Sequence, residues 1–326
     1  MKISISELEN LTDQAIKHYG YDEKEAKVIK DILLFAQLRG NNQGVVKLIG
    51  KGIPKREDTV SMSLAKETEV SALVDGGYKH SMLALNYATE LAIAKAKKSG
   101  IGIVGTFNTA ESTGALAYYV NKIAQEGLIG FAVASAPFAT TAPHGSNEAK
   151  FCTNPIAYGV PTENEPILLD FSTSAMAYYG LIEAKTAGRE VPADTGYDAD
   201  GNETTDPASI MSGALKTFGG HKGSGLALIV QILAGALVQA DSFDSDSDNS
   251  GNLVLAIDPN ILTDARSFKA EASRIVKEVK AARKLPGVEE ILVPGERGNK
   301  LATSNLNAGE IEIEDNLLNQ LREVAK

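Results

Sequence analysis

Between residues 71 and 135 the chain alternates between two hydrophobic periods, and this alternation limits its fold more than any other feature. SALVDGGYKH reads as a strand and a turn. SMLALNYATELAIAKAKKSG reads as a helix, with lysines in its last turn and Gly100 beyond it. IGIVGTFN follows as a short apolar strand, ESTGALAYYVNKIAQEG as a helix and LIGFAVASA as a strand. A strand buries one face and a helix one stripe, so elements in this order stack in layers and give an α/β architecture.

The flanking segments extend the pattern. Two helices are expected at the start, because Ser6 with Glu9 and Asp22 with Glu25 each place a capping side chain three residues before a carboxylate. The second carries Val28, Ile29, Ile32, Leu33 and Ala36 at helical spacing and stops at Gly40, where the polar stretch RGNNQGVVKL (39–48) begins. A Pro- and Gly-punctuated middle leads to the strand ILLDFS, then AMAYYGLIEAKTAG and a turn-rich segment. GGHKGSG opens the apolar helix LALIVQILAGALVQA. The strand LVLAID, a charged helix, the loop VPGERGNK and an acidic helix complete the sequence.

Composition narrows the classes of function. The 326 residues, 43% apolar and 23% charged, suffice for a substantial core. A net charge of −10 argues against a nucleic-acid or anionic-membrane partner, since phosphate surfaces are bound by clustered Lys and Arg. A few local cations can still hold a small anionic substrate. Cys152 is the single cysteine, so neither a disulfide framework nor a cysteine metal cluster is available. MKISISELEN lacks the apolar stretch of a secretion signal, and no run approaches the roughly 18 apolar residues of a membrane span. A cytoplasmic protein is expected.

Several motifs invite chemistry. Gly100, Gly102 and Gly105 have G-x-G-x-x-G spacing, but a dinucleotide turn must follow a strand and open a helix. Here a helix precedes and a strand follows, so a close-packed strand is expected instead. Asp244, Asp246 and Asp248 mimic the start of a calcium loop, yet its sixth and twelfth positions are Asn249 and Leu255. FGGHKGSGLAL is better placed: Gly219, Gly220, Gly223 and Gly225 surround Lys222 just before an apolar helix. Free amides at a helix start together with an ammonium suit a phosphate or carboxylate, although a tight structural connection has the same spacing. His18, His80, His144 and His221 show no metal-ligand spacing, and no metal is expected. There is no G-x-S-x-G elbow for a serine hydrolase.

RGNNQGVVKL, GIGIVGTFNTAESTGALAYY, APHGSNEAKFCTNPIAYGVP, LLDFSTS, DADGNETTDP, GGHKGSGLAL and VPGE occur in this order over nearly the whole chain. In this series the chain resembles the malate/L-lactate dehydrogenase family of the non-Rossmann type, which includes ureidoglycolate and sulfolactate dehydrogenases and cyclic-imine reductases. The resemblance implies a non-Rossmann α/β fold that binds NAD or NADP, as a homodimer with its site near the subunit interface. It implies an N-terminal helical and substrate-lip segment (1–70), an NAD(P)-binding core (71–240) and a C-terminal α/β segment (241–326) completing the substrate side. It assigns cofactor contacts to Ser135, to Leu169, Asp170, Phe171 and Ser172, to His221 and Lys222 in GGHKG, and to Gly295 and Glu296 in VPGE. Thr173 and Ser174 continue the strand-end segment, and Asn154 and Pro155 shape the cleft.

The substrate half departs from the family pattern RG-x-x-SHG-V-x-R. Asn42 and Gln43 stand where serine and histidine are expected, and Lys47 replaces the arginine. A second family histidine is also missing from the stretch Asn108 to Thr113, which contains Glu111. Reducing a 2-oxo acid needs a proton for oxygen, which imidazole supplies well and a glutamine amide does not. Lys47 keeps a positive charge for a carboxylate without arginine's bidentate fork. The reading is an NAD(P)-dependent oxidoreductase of a small 2-hydroxy or 2-oxo acid. Gln43, Asn42, Lys47 and Glu111 are its candidate catalytic residues, with Glu111, His221 or water as proton source. A 2-imino acid reductase, whose substrate already carries its proton, and a catalytically drifted dinucleotide-binding member are the alternatives.

Overall fold

The computed structural model describes residues 1–243 and 248–326. Asp244 and Asp246 of the calcium-like pattern lie outside the described residues. Lys2–Ser4 (β1) and Glu310–Glu312 (β12) pair antiparallel and tie the two ends of the chain together. Helix α1 (Ile5–His18) is capped by Ser4, whose Oγ accepts the Glu7 amide at 3.1 Å, and not by Ser6. Its start moves back because β1 delivers the chain to Ser4 already extended. Helix α2 (Glu23–Leu38) has both halves of the expected Asp22/Glu25 capping box.

The central sheet contains β2 (Ser63–Glu67), β3 (Ser71–Asp75), β4 (Ile101–Thr109), β5 (Ile129–Ser135), β6 (Ile156–Val160), β7 (Ile167–Phe171) and β11 (Ser250–Ile257). Their order across the sheet is β2-β3-β4-β11-β5-β6-β7. The alternation of helices and strands yields an α/β layer, but β11 enters between β4 and β5 and pairs antiparallel with both. Among the described strands, only β3 and β4 are parallel neighbours. Strand β6 lies in the Pro- and Gly-rich middle, where the sequence showed punctuation and no strand.

The sheet buries its two faces unequally. Along β5, Ala132 and Ala134 join the larger core and Val133 the smaller one, as strand alternation requires. Helices α3 (Ser81–Ser99) and α4 (Leu116–Gln125) cover the larger core, beneath α1, α2 and α10 (Asp315–Val324). An ideal Cβ on Gly102 would lie 2.1 Å from the Ala92 carbonyl oxygen, so glycine lets α3 settle onto β4. This is the close-packed strand expected of GIGIVG. The other face is covered partly by α7 (His221–Ala234), through Val230 and Ala234.

Helix α5 (Tyr178–Thr186) and α6 (Pro207–Ser212) pack a third small core with the three short strands β8 (Gly196–Tyr197), β9 (Glu203–Thr204) and β10 (Ala214–Leu215). Two more helices, α8 (Ala265–Lys280) and α9 (Glu296–Ala308), flank the far edge. The stretch from His221 to Val238 is long and apolar enough to cross a membrane by length and composition, unlike the expectation from residue runs. Its inner side chains pack on β5 and β11, while Leu228, Ile229 and Ile232 point outward.

Candidate active site

The polar lip forms because α2 ends abruptly. Gly40 takes a left-handed φ of +66°, and the chain folds back so that Gln37 Oε1 accepts the Val45 amide at 3.0 Å. A Cβ on Gly44 would sit 2.3 Å from that same oxygen, so the return requires glycine there. Asn41 Oδ1 accepts the Gln43 amide at 2.9 Å, and Gln43 Nε2 donates to Asn42 Oδ1 at 3.3 Å. The Asn42 amide nitrogen lies against Gly180 of α5. The lip then ends in a 3-10 turn, Val45–Leu48.

That turn drives Lys47 inward until only 1% of it is exposed. Its Nζ donates to Ser112 Oγ at 2.7 Å and stands 3.2 Å above the ring centre of Tyr179. Burial pushes the ammonium well below the usual lysine range, and the Glu111 carboxylate only partly opposes this. Glu111 itself pairs with Lys51 at 3.1 Å. It lies before α4 and not within it: Glu111 and Gly114 have φ of +64° and +71°, which a helix cannot use. The expected helix therefore starts late, and the freed turn presents Ser112 to Lys47.

One neighbour was missed from sequence. His80 is the N-cap of α3, with Nδ1 accepting the Met82 amide at 3.2 Å and Nε2 buried without a partner. Burial, then the Lys47 charge, lowers it to about 3, so the ring is neutral across the physiological range. The acceptor role of Nδ1 leaves the proton on Nε2. A histidine just before a helix was visible as a cap, but nothing in the sequence placed it beside Lys47.

The proposed cofactor residues fall into two groups. Ser135 ends β5 and donates to Asn154 Oδ1 at 3.1 Å, and Asn154 Nδ2 donates to Ala227 O and Gln231 Oε1 of α7 at 2.9 and 2.8 Å. Phe171 ends β7 with its ring edge-on to Phe218, 5.4 Å away. Ser172 Oγ donates to Ser174 O at 3.2 Å, and Phe218 N donates to Thr173 O at 3.1 Å, which holds the glycine loop against the strand end. Beyond that loop, α7 begins without a side-chain cap, with His221 and Lys222 exposed at its first turn. His144 faces His221 at 6.1 Å between rings. One ammonium and two imidazoles at a helix start suit a phosphate group, although the Lys222 and Gly223 amides already donate to Gly219 O and Phe218 O at 3.4 and 3.1 Å.

Asp170 and Leu169 lie further back along β7. Asp170 Oδ2 accepts the Ala117 amide at 2.8 Å at the start of α4, and burial raises its carboxyl to about 6. Leu169 pairs with Tyr158 of β6. Gly295 and Glu296 are set apart. Leu168 N donates to Pro294 O at 3.2 Å, which places their loop at the opposite half of β7 from Ser172. Glu296 binds Lys280 and Lys300 and accepts the Val293 amide at 3.2 Å, so it joins α8, α9 and the loop. A cleft of about 630 Å³ opens beside it, bordered by Arg39, Pro166, Lys280, Pro294 and Asn299.

The lip and the first cofactor group converge. Asn42 on Gly180 and Lys47 on Tyr179 bring the lip to α5, and α5 follows directly from Ser172–Ser174. The polar lip is thus connected, through α5 and the end of β7, to the glycine loop that opens α7.

Comparison with known proteins identifies the family and the fold. The sequence model of the malate/L-lactate dehydrogenase family matches residues 3–322. The malate/(S)-sulfolactate dehydrogenase of Methanothermus fervidus is 32% identical over 340 positions, covering 100% of this chain and 97% of that protein. The Delta(1)-pyrroline-2-carboxylate/Delta(1)-piperideine-2-carboxylate reductase of Pseudomonas putida is 32% identical over 308 positions, covering 88% and 89%. The malate dehydrogenase structure from Pyrococcus horikoshii OT3 superimposes with a TM-score of 0.87 at 29% identity, covering 100% and 94%. These relatives are dehydrogenases and reductases of small acids. With the fold, the lip and the glycine loop in their family order, the chain belongs to the malate/L-lactate dehydrogenase family of oxidoreductases.

Proposed function

We propose that the protein is an NAD(P)-dependent oxidoreductase that moves a hydride to or from a small 2-hydroxy or 2-oxo acid. The observation that carries this reading is the link from the lip, through α5 and the Ser172–Ser174 segment at the end of β7, to the glycine loop that opens α7. The His221 and Lys222 side chains at the start of α7 would hold the dinucleotide phosphates, with Ser135, Phe171 and Ser172 beside them. The cleft at Pro294–Glu296 offers room for a remote part of the same cofactor. When bound, the nicotinamide supplies or accepts the hydride. On the substrate side, Asn42 and Gln43 offer amide donors to the reacting group, and Lys47 offers the cation that an acid substrate needs. Glu111, paired with Lys51, sets the local field at Lys47.

A 2-imino acid is a second reading, favoured by the lip itself. Asn42 and Gln43 carry no ionisable proton, and a protonated imine brings its own. The protein is further read as a cytoplasmic homodimer that acts on a small anionic molecule and contacts neither nucleic acid nor membrane. The test mixes purified protein with NADH or NADPH and a panel of 2-oxo acids and cyclic imines, followed at the nicotinamide absorbance band. Turnover of at least one class is expected, with Lys222→Ala weakening cofactor binding about tenfold. Cofactor binding without turnover on any substrate would favour a drifted, dinucleotide-binding member.

A further inference from the structure

A lysine whose only duty is to clamp a carboxylate should stay charged, as arginine does at any accessible pH. Lys47 is built otherwise. Its direct polar partner is a hydroxyl, Ser112 Oγ at 2.7 Å, which can accept from an ammonium or donate to an amine. Its other support is the face of Tyr179, which favours the ammonium. No carboxylate among the described residues forms an ion pair with it. Both protonation states therefore have partners, while burial and ring pull in opposite directions.

The charges around Lys47 are committed elsewhere. Glu111 holds Lys51, and His80 from α3 is buried with a free Nε2. Of the helices packed against its turn, α1 uses Asp13 on Lys17 and Lys30 and Glu7 on Arg322, and α2 uses Glu25 on Lys55 and Lys79. On α10, Asp315 holds the N-terminal ammonium, and α5 contributes the Tyr179 ring.

We infer that Lys47, besides facing the substrate anion, is the acid that protonates the substrate oxygen, in place of the histidine the lip lacks. In the reduction, the carbonyl carbon gains a hydride from a reduced nicotinamide and the C=O π pair moves to oxygen. That oxygen then forms its O–H bond as an Nζ–H bond of Lys47 breaks, leaving a neutral amine. Ser112 steadies the amine until solvent returns the proton. In oxidation each step reverses, with the amine as base. A desolvated lysine suits this task, since a useful acid titrates near the working pH. The inference rests on the oxidoreductase reading of the site.

Lys47→Arg separates the two duties, because arginine restores the family's clamp but holds its proton too tightly to give it up. The expected result is a loss in kcat of about a hundredfold or more. KM and NADH affinity, read by fluorescence titration, should change by no more than about threefold. In unliganded wild-type protein with ¹³C-labelled lysines, one Cε resonance should titrate well below 10.5 and be missing from the variant. Retention of kcat by Lys47→Arg would reduce Lys47 to a clamp and overturn the inference. So would a Lys47 midpoint near 10.5, which decides the matter even if the variant does not fold. Failure of wild-type protein to bind either NADH or NADPH would instead overturn the oxidoreductase reading, and the resonance would still report on Lys47.

Discussion

Asp170 sits where a strand end and a helix start meet, and its protonation is coupled to folding. Its carboxylate caps the Ala117 amide, yet burial raises it to about 6 from an ordinary 3.8. Between those values the folded chain binds more protons than the unfolded one, so the contribution to stability falls as pH rises through the window. Above about pH 6 the penalty is fully present. Asp170→Asn keeps an oxygen for the Ala117 amide and removes the ionisation. The melting temperature of the variant should be flatter than that of wild type between pH 4 and about 6.5, as measured by thermal unfolding across buffers. Other residue-scale facts differed in how legible they were. The lip's lack of histidine was plain from RGNNQGVVKL alone. The partners of Lys47 were not, because Ser112, Tyr179 and His80 are brought to it from three distant segments.

Helix α7 carries a stability conflict that its glycines make visible. An ideal Cβ on Gly223 would lie 2.2 Å from Phe218 O, whereas one on Gly225 meets nothing within 4 Å. Gly223→Ala should therefore destabilise the fold by about 1–3 kcal/mol through overpacking. Gly225→Ala should stabilise the unliganded protein by about 0.5–1 kcal/mol, since alanine is the better helix residue. If the open space at Gly225 belongs to the cofactor, the same change weakens NADH binding. Urea unfolding and fluorescence titration of both variants check the pair. The elements themselves were legible in proportion to their local signals. The Asp22/Glu25 box, Gly100 as a helix stop and the strand reading of GIGIVG rest on nearest neighbours, and the structure shows each. Strand β6 was missed because IAYGV is short and hemmed in by proline and glycine, so pairing with β5 and β7 decides it. The start of α4 was misjudged because left-handed φ at Glu111 and Gly114 leaves no mark in an apolar pattern.

At the scale of the whole molecule, the unequal cover of the sheet leaves a face for the proposed homodimer. Leu228, Ile229 and Ile232 leave α7 with an apolar outer face, and Tyr158 is 40% exposed on the sheet beside it. A homodimer would bury such a surface. For the homodimer proposed above, replacing Ile229 and Ile232 together by glutamate should shift the sedimenting mass from about twice to once the 34.5 kDa of the chain, and a wild-type monomer would overturn that proposal. An unchanged dimer would move the interface to another face. The chain order across the sheet was not legible from sequence, since helix and strand alternation says which elements form and not which strand lands in the middle. That placement bears on synthesis. Strands β4 and β5 leave the ribosome early and must stand apart by the width of one strand until residues 250–257 arrive to fill the gap. Until then each keeps an unpaired, apolar edge facing the other, the kind of edge that invites wrong pairing. A nascent chain stalled before residue 250 therefore carries two apolar strand edges of the kind chaperones shield, and the pairing of β11 closes both.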